Sequence, residues 1–301
     1  METANPCWGF SPIIARTIWS STEGSYSLID TNHTERDELK RLSVMLAAVI
    51  LASLVSLVLL MPAIAHAAPS AEVSRPKGDL TISAATSLTD AFTELAKQFR
   101  KVNAGVKVRL NFGSSSTLVA QIRSGAPSDI MASADLTHLE KLIASGDAVV
   151  TPKVFARNTM AIAVKPGNPK AVRSVTDLAS LAFIALCGKN VPCGVYASNV
   201  LAKSGVAIAE SKVTRGIDVK ATLSAVANGD ADAAIVYKTD VLAAKKSVVG
   251  IEIPSALNVK AMYGIVPIRG MKNITNAKAF IDFVLSEQGW QILKSFGFQR
   301  P

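Results

Sequence analysis

From Asp79 onward, short β-type runs alternate with amphipathic helical stretches. Strands separated by helices run mostly parallel, and their sheet is covered on both faces, so the chain is expected to be an α/β protein. Strands are predicted at Leu80–Ala84, Val106–Phe112, Ile130–Ala132 and Thr159–Val164, with helices at Leu88–Val102, Leu118–Ser124 and Leu136–Ser145 between them. After Pro166-Gly167 the alternation restarts. Strands are expected at Phe183–Leu186, Ala233–Tyr237, Val248–Ile253 and Ala261–Ile268, and helices at Val195–Lys203, Val219–Asn228, Asn276–Leu285 and Glu287–Phe296. There is no sequence repeat or loose linker, which points to two lobes joined by strands.

Four turns in this frame carry small or hydroxyl-bearing residues ahead of a helix: AATSL ending at Ser87 and Leu88, GSSST at Gly113–Thr117, VPCGVY at Val191–Tyr196 and IDV at Ile217–Val219. A helix start presents unpaired N–H groups and the positive end of the dipole, both of which favour an anion. Converging turns would make a neutral cage for an oxyanion without a buried cation. Each also has a purely structural reading. Ser87, with Asp90 three residues on, is a variant capping box, and Ser114, Ser115 and Ser116 make a solvated serine turn. Tyr237 ends a predicted strand, and strand carboxyl ends face the ligand crevice in open α/β sheets, although a tyrosine there also fills an interface. Asp129, Asp135 and Asp240 read as turn and cap residues.

The first 67 residues differ from the rest. Lys40 and Arg41 precede an apolar run from Val44 to about Ile64, and Ala65-His66-Ala67 is a small-x-small cleavage signal, so residues 1–67 read as an extension plus secretory signal. An uncleaved anchor is the other reading of the same run. No cysteine lies near the cleavage site, which argues against a lipid-attached form. The remaining residues, about 234, carry a net charge of about +11 by count. No aromatic-basic stripe accompanies the scattered lysines and arginines, so a solvated basic surface is expected and nucleic-acid binding is not.

Removal of Cys7 with the leader leaves Cys187 and Cys193, an even number in an oxidising compartment. A Cys187–Cys193 disulfide would stiffen the VPCG turn and stabilise by about 2 kcal/mol; two free buried thiols are the alternative. A metal site is not expected, because His138 is the sole histidine after the leader. No nucleophile elbow, P-loop, dinucleotide fingerprint or zinc-protease helix occurs, and His138 has no evident triad partner. No enzyme activity and no cofactor are expected.

These turns resemble those of the substrate-binding proteins of bacterial molybdate ABC transporters, over about Leu80 to Phe298. AATSL with Ser87 is similar to an AASL turn, SSST to a turn in which Ser115 matches, and VPCG to a VPAG turn, aligning Cys193 as an amide donor. The Asp218-Val219 pair aligns Val219 as a further amide donor, and Ile235–Asp240 aligns Tyr237 as a hydroxyl donor; Gly297-Phe298 also fits. The resemblance implies a periplasmic-binding-protein fold of the second class, with two lobes crossed by strands near Asn158 and Tyr263. It implies lobe I at residues 79–158 plus 263–301 and lobe II at 159–262. It further implies a monomer outside the cytoplasm that binds molybdate, and with it tungstate, and delivers it to membrane permease subunits. The chain departs from the pattern in Thr86, inserted before Ser87, and in Cys193. A sulfate or phosphate binder on the same fold, a secreted hydrolase of anionic esters and a membrane-anchored sensory domain are the alternative functions.

Overall fold

The computed structural model describes residues 76–301, which fall within one compact unit, Val73–Pro301. The leader and its apolar run lie outside the described residues, as does the predicted cleavage signal. Among the described residues no helix is long and apolar enough to cross a membrane.

Among the described residues nine strands form the sheet: β1 Gly78–Ala85, β2 Val106–Gly113, β3 Ile130–Ser133, β4 Lys153–Val164, β5 Ile184–Cys187, β6 Val213–Gly216, β7 Ala233–Tyr237, β8 Val249–Glu252 and β9 Lys260–Pro267. Their order is β2-β1-β3-β9-β4-β7-β5-β6, with β8 also paired to β4. In the first half β1 lies between β2 and β3, parallel to both. In the second, β5 is parallel to both β6 and β7. Between the halves run β9 and β4, antiparallel to each other. Strand β4 changes partners partway: Lys153–Thr159 pairs with β9, whereas Met160–Val164 pairs with β7 and Ala161–Val164 also with β8. The architecture is the two-lobed α/β fold expected from the alternation, and Asn158 and Tyr263 lie in β4 and β9 respectively.

The helices are α1 Thr89–Val102, α2 Ser115–Arg123, α3 Thr137–Ala144, α4 Pro192–Lys203, α5 Val219–Asn228, α6 Lys238–Ala243, α7 Ile274–Leu285 and α8 Glu287–Ser295. Helix α1 forms because Phe92, Leu95 and Phe99 recur on one face, and it buries them against the sheet and α7. Phe92 packs 5.7 Å from Phe155, and Phe99 makes an edge contact with Phe280 at 5.2 Å. On β3, Ile130 and Ala132 face the main core, while Met131 points oppositely into a smaller cluster with Leu118, Leu139 and Val266. Both faces of the sheet are thus buried.

Helices α2 and α4 each begin one turn earlier than their apolar periodicity suggested, at Ser115 and Pro192 instead of Leu118 and Val195. Ser114 caps α2 by accepting the Thr117 N–H at 3.2 Å, and Pro192 at the first helical position needs no N–H there. The earlier starts carry the serine and cysteine turns into the site. Strand β4 starts at Lys153 because the polar pair Arg157-Asn158 does not break it. Arg157 exchanges backbone bonds with Gln299, and Asn158 is buried with its amide paired.

Candidate functional site

The carboxyl ends of β1 and β7 and the starts of α2, α4 and α5 meet at one small cavity. From the first half of the sheet it is lined by Ala85, Thr86 and Ser87 around the end of β1, by Ser114 and Ser115 at α2, and by Ala134 after β3. From the second it is lined by Val191, Pro192 and Cys193, by Asp218 and Val219, and by Tyr237. The five residues singled out from the sequence, Ser87, Ser115, Cys193, Val219 and Tyr237, therefore share one cavity. Its volume is about 10 Å³, far below that of an organic-ligand pocket. A drug-sized organic solute does not fit such a space.

The Ser115 and Tyr237 hydroxyls each keep a proton with no partner among the described residues. Ser115 Oγ already accepts the Ala134 N–H at 3.1 Å, so its own proton is left for another partner. Ser87 Oγ lies 2.9 Å from the Tyr263 hydroxyl. It does not cap a helix: the residue preceding α1 is Leu88, with no side-chain cap, and Asp90 pairs with Lys220 at 3.6 Å. The capping-box reading of Ser87 and Asp90 is thus replaced by two longer-range contacts. Tyr237 is buried, packed against Tyr196 and Tyr263, and its hydroxyl has no hydrogen-bond partner among the described residues. Burial holds its ionisation well above the ordinary tyrosine range, with the neighbouring Tyr263 and Tyr196 adding to the effect. It therefore keeps the proton it would donate.

Backbone donors complete the lining. Cys193 and Val219 stand in the first turns of α4 and α5, where helical N–H groups have no intrahelical acceptor. Cys193 is bonded to Cys187, with their Cα atoms 5.8 Å apart. The bridge clamps α4 to β5 so closely that a Cβ on Gly194 would collide with the Gly188 carbonyl oxygen. Glycine is required there for that approach.

Among the described residues no lysine, arginine or histidine lines the cavity, and the one carboxylate that does is committed elsewhere. Asp218 caps α5 by accepting the Ala221 N–H at 2.9 Å, and its other oxygen accepts the Thr86 hydroxyl at 3.2 Å. Thr86, Asp218 and Ala134 were not anticipated as site residues, since their partners are distant in sequence.

The other acidic residues sort differently. Asp129 is not a local cap but accepts the N–H groups of Thr81 and Lys272, 48 and 143 positions away, whereas Asp135 accepts that of His138 three residues on and serves its own turn. Asp240 does neither. It is buried with Oδ2 unpartnered, and desolvation raises its pKa to about 8. His138 does have a partner: its Nδ1 lies 2.8 Å from Asp135, a carboxylate that also accepts the Ser133 hydroxyl at 3.1 Å. Serine and histidine both address the carboxylate, so this is not the serine-to-histidine contact of a nucleophile and its base. A larger groove of about 790 Å³ opens beside Thr159, Lys203, Lys238 and Lys260, but it shares none of the five residues. Lys203 and Lys238 are already paired there, with the Asn258 carbonyl and Glu252.

The sequence from residue 80 to 299 matches the model of a family described as bacterial extracellular solute-binding protein. The chain belongs to that family. Among the curated relatives of this solute-binding protein is the molybdate-binding protein ModA of Mycobacterium tuberculosis H37Rv, 33% identical over 223 residues, covering 74% of this chain and 85% of the relative. Another is the ModA protein of Escherichia coli K12, 33% identical over 231 residues and covering 74% and 89% respectively. Of solved structures, the periplasmic molybdate-binding protein of Azotobacter vinelandii superposes with a TM-score of 0.67 at 25% identity, over 74% of this chain and 99% of that one. The matched region begins after the leader. It contains all five candidate residues.

Proposed function

We propose that this solute-binding protein captures molybdate, and with it tungstate, outside the cytoplasm and hands it to the permease subunits of an ABC transporter. Ser87, Ser115 and Tyr237 donate hydroxyl hydrogen bonds to the anion, and the amides around Cys193 and Val219 complete the set. The observation that carries the reading is the Tyr237 hydroxyl, buried without a partner in a lining that also holds the Ser87 and Ser115 hydroxyls and three helix starts but, among the described residues, no cation. Leaving such a donor unpaired costs roughly 1–3 kcal/mol, which a charged acceptor would offset. The curated ModA relatives support the same ligand.

A cage made of donors suits a fully deprotonated tetrahedral anion. Hydrogen phosphate would bring an O–H that needs an acceptor, and the Asp218 oxygens are already engaged. In this reading the protein acts as a monomer, carries out no covalent chemistry and is exported by residues 1–67. Residues 79–158 with 263–301 form lobe I and 159–262 form lobe II, the anion lying between them. Calorimetric titration with molybdate, tungstate, sulfate and phosphate tests the assignment. Tight binding of the first two and weak binding of the others is expected; a sulfate affinity equal to that for molybdate would overturn it.

A further inference from the structure

Both strands that run between the lobes contribute a buried polar side chain behind Ser87. Asn158 lies on β4 and Tyr263 on β9, exposed by 1% and 0%. Asn158 Oδ1 accepts the N–H of Thr159 at 2.9 Å, which fixes the orientation of its amide. Nδ2 is thereby turned toward the Thr239 hydroxyl, 2.8 Å away, and the Tyr263 hydroxyl, at 3.4 Å. Tyr263 thus receives an N–H from one side. Its own proton needs an acceptor, and Ser87 Oγ at 2.9 Å provides one.

We infer that Tyr263, with its polarity set by Asn158, is a positioning residue that makes Ser87 a donor into the cavity. If Tyr263 donates to Ser87, the serine oxygen is occupied as an acceptor on its rear side and its proton is free on the other. A serine without this neighbour could turn its proton inward or present a lone pair to the anion, which is repulsive. Burial holds the Tyr263 ionisation well above the ordinary range, so the donated proton stays in place; Asp240 adds to the upward push, and the bonds from Ser87 and Asn158 oppose it. The hydrogen-bonded series Thr239–Asn158–Tyr263–Ser87 also ties the residue two places after Tyr237 to the serine across the sheet. Orientation is therefore linked to both strands that join the lobes.

The inference rests on the reading of Ser87 as a ligand to molybdate, and the test separates the two. Molybdate affinity is measured by calorimetry for the wild type, Ser87→Ala, Tyr263→Phe and the double variant, each checked for folding by circular dichroism. Tyr263→Phe retains the ring contacts with Tyr237 and Phe298, which lie at 5.8 and 5.3 Å. It should weaken binding by about tenfold in the wild type, the scale of one hydrogen bond, and hardly at all when Ser87 is already alanine. Equal losses in both backgrounds would assign Tyr263 a packing role and overturn the inference. If Ser87→Ala weakens binding while Tyr263→Phe does not, the inference fails and the ligand assignment stands. If Ser87→Ala itself has no effect, the assignment fails and the inference with it.

Discussion

Thr86 donates its hydroxyl to Asp218 at 3.2 Å, joining the turn after β1 to the start of α5 across 132 positions of sequence. The two residues come from opposite halves of the sheet and both line the cavity. With the neighbouring Asp90–Lys220 pair, 3.6 Å apart, this contact ties the two halves together at the edge of the site. Thr86 is also the residue by which the turn departs from the pattern it resembles. Thr86→Val keeps the shape and removes the donor. It should weaken molybdate binding by about three- to tenfold, mainly through faster dissociation, as stopped-flow displacement would register.

Ser115 and Tyr237 make different demands on a substitution. Ser115→Ala removes both the donor to the anion and the acceptor of the Ala134 N–H, so affinity should fall by about ten- to a hundredfold, with a small loss of stability. Tyr237→Phe removes only a hydroxyl that has no other partner, so stability should hold or rise while affinity falls. Parallel titration and thermal melts would reveal that split. A stability loss in Tyr237→Phe without any change in affinity would remove Tyr237 from the site.

Asp240 sets the expected dependence of stability on pH. Its pKa is raised from 3.8 to about 8 by burial, so between those values the folded state holds a proton that the unfolded state has released. Stability from this group is greatest at acid pH and falls as pH rises, at most by about 1.4 kcal/mol per unit. Asp240→Asn should remove this slope, leaving the variant more stable than the wild type by on the order of 3 kcal/mol at pH 8 relative to pH 5. Urea unfolding of both proteins at the two pH values measures the difference. Parallel pH profiles would show that Asp240 does not titrate in this window.

The disulfide is expected to serve stability more than recognition. Cys193→Ala retains the amide offered to the anion and loses the bridge to Cys187, so stability should drop by about 2 kcal/mol. Affinity should change by much less than in Ser115→Ala. Reductant should lower the melting temperature of the wild type by about 5 °C and leave the variant unaffected.

Helix Val219–Asn228 and strand Ala233–Tyr237 were legible to the residue because their punctuation is local. Asp218 caps the helix, and Gly229, with φ of 95°, ends it. The first half of β4 was not legible. Arg157 and Asn158 look like a break, and only partners at Gln299, Thr239 and Tyr263 make them tolerable inside a strand. The short edge strand β6 and the six-residue α6 escaped notice for want of a periodic apolar face. Ser87 shows the same limit at the site. Its sequence neighbours offer a capping role, whereas its actual hydrogen-bond partner lies 176 positions away. The pairing of His138 with Asp135 was missed although it is local, a spacing of three bringing both side chains to one turn.

The small volume of the cavity has a kinetic meaning. In the proposed reading the lobes must part before an occupant leaves, so its residence time follows the protein's own opening, to which the Thr86–Asp218 contact belongs. A membrane partner that merely held the lobes apart would empty the site without touching the anion. The concentration at which the protein fills and the moment at which it unloads would then be set by separate parts of the molecule.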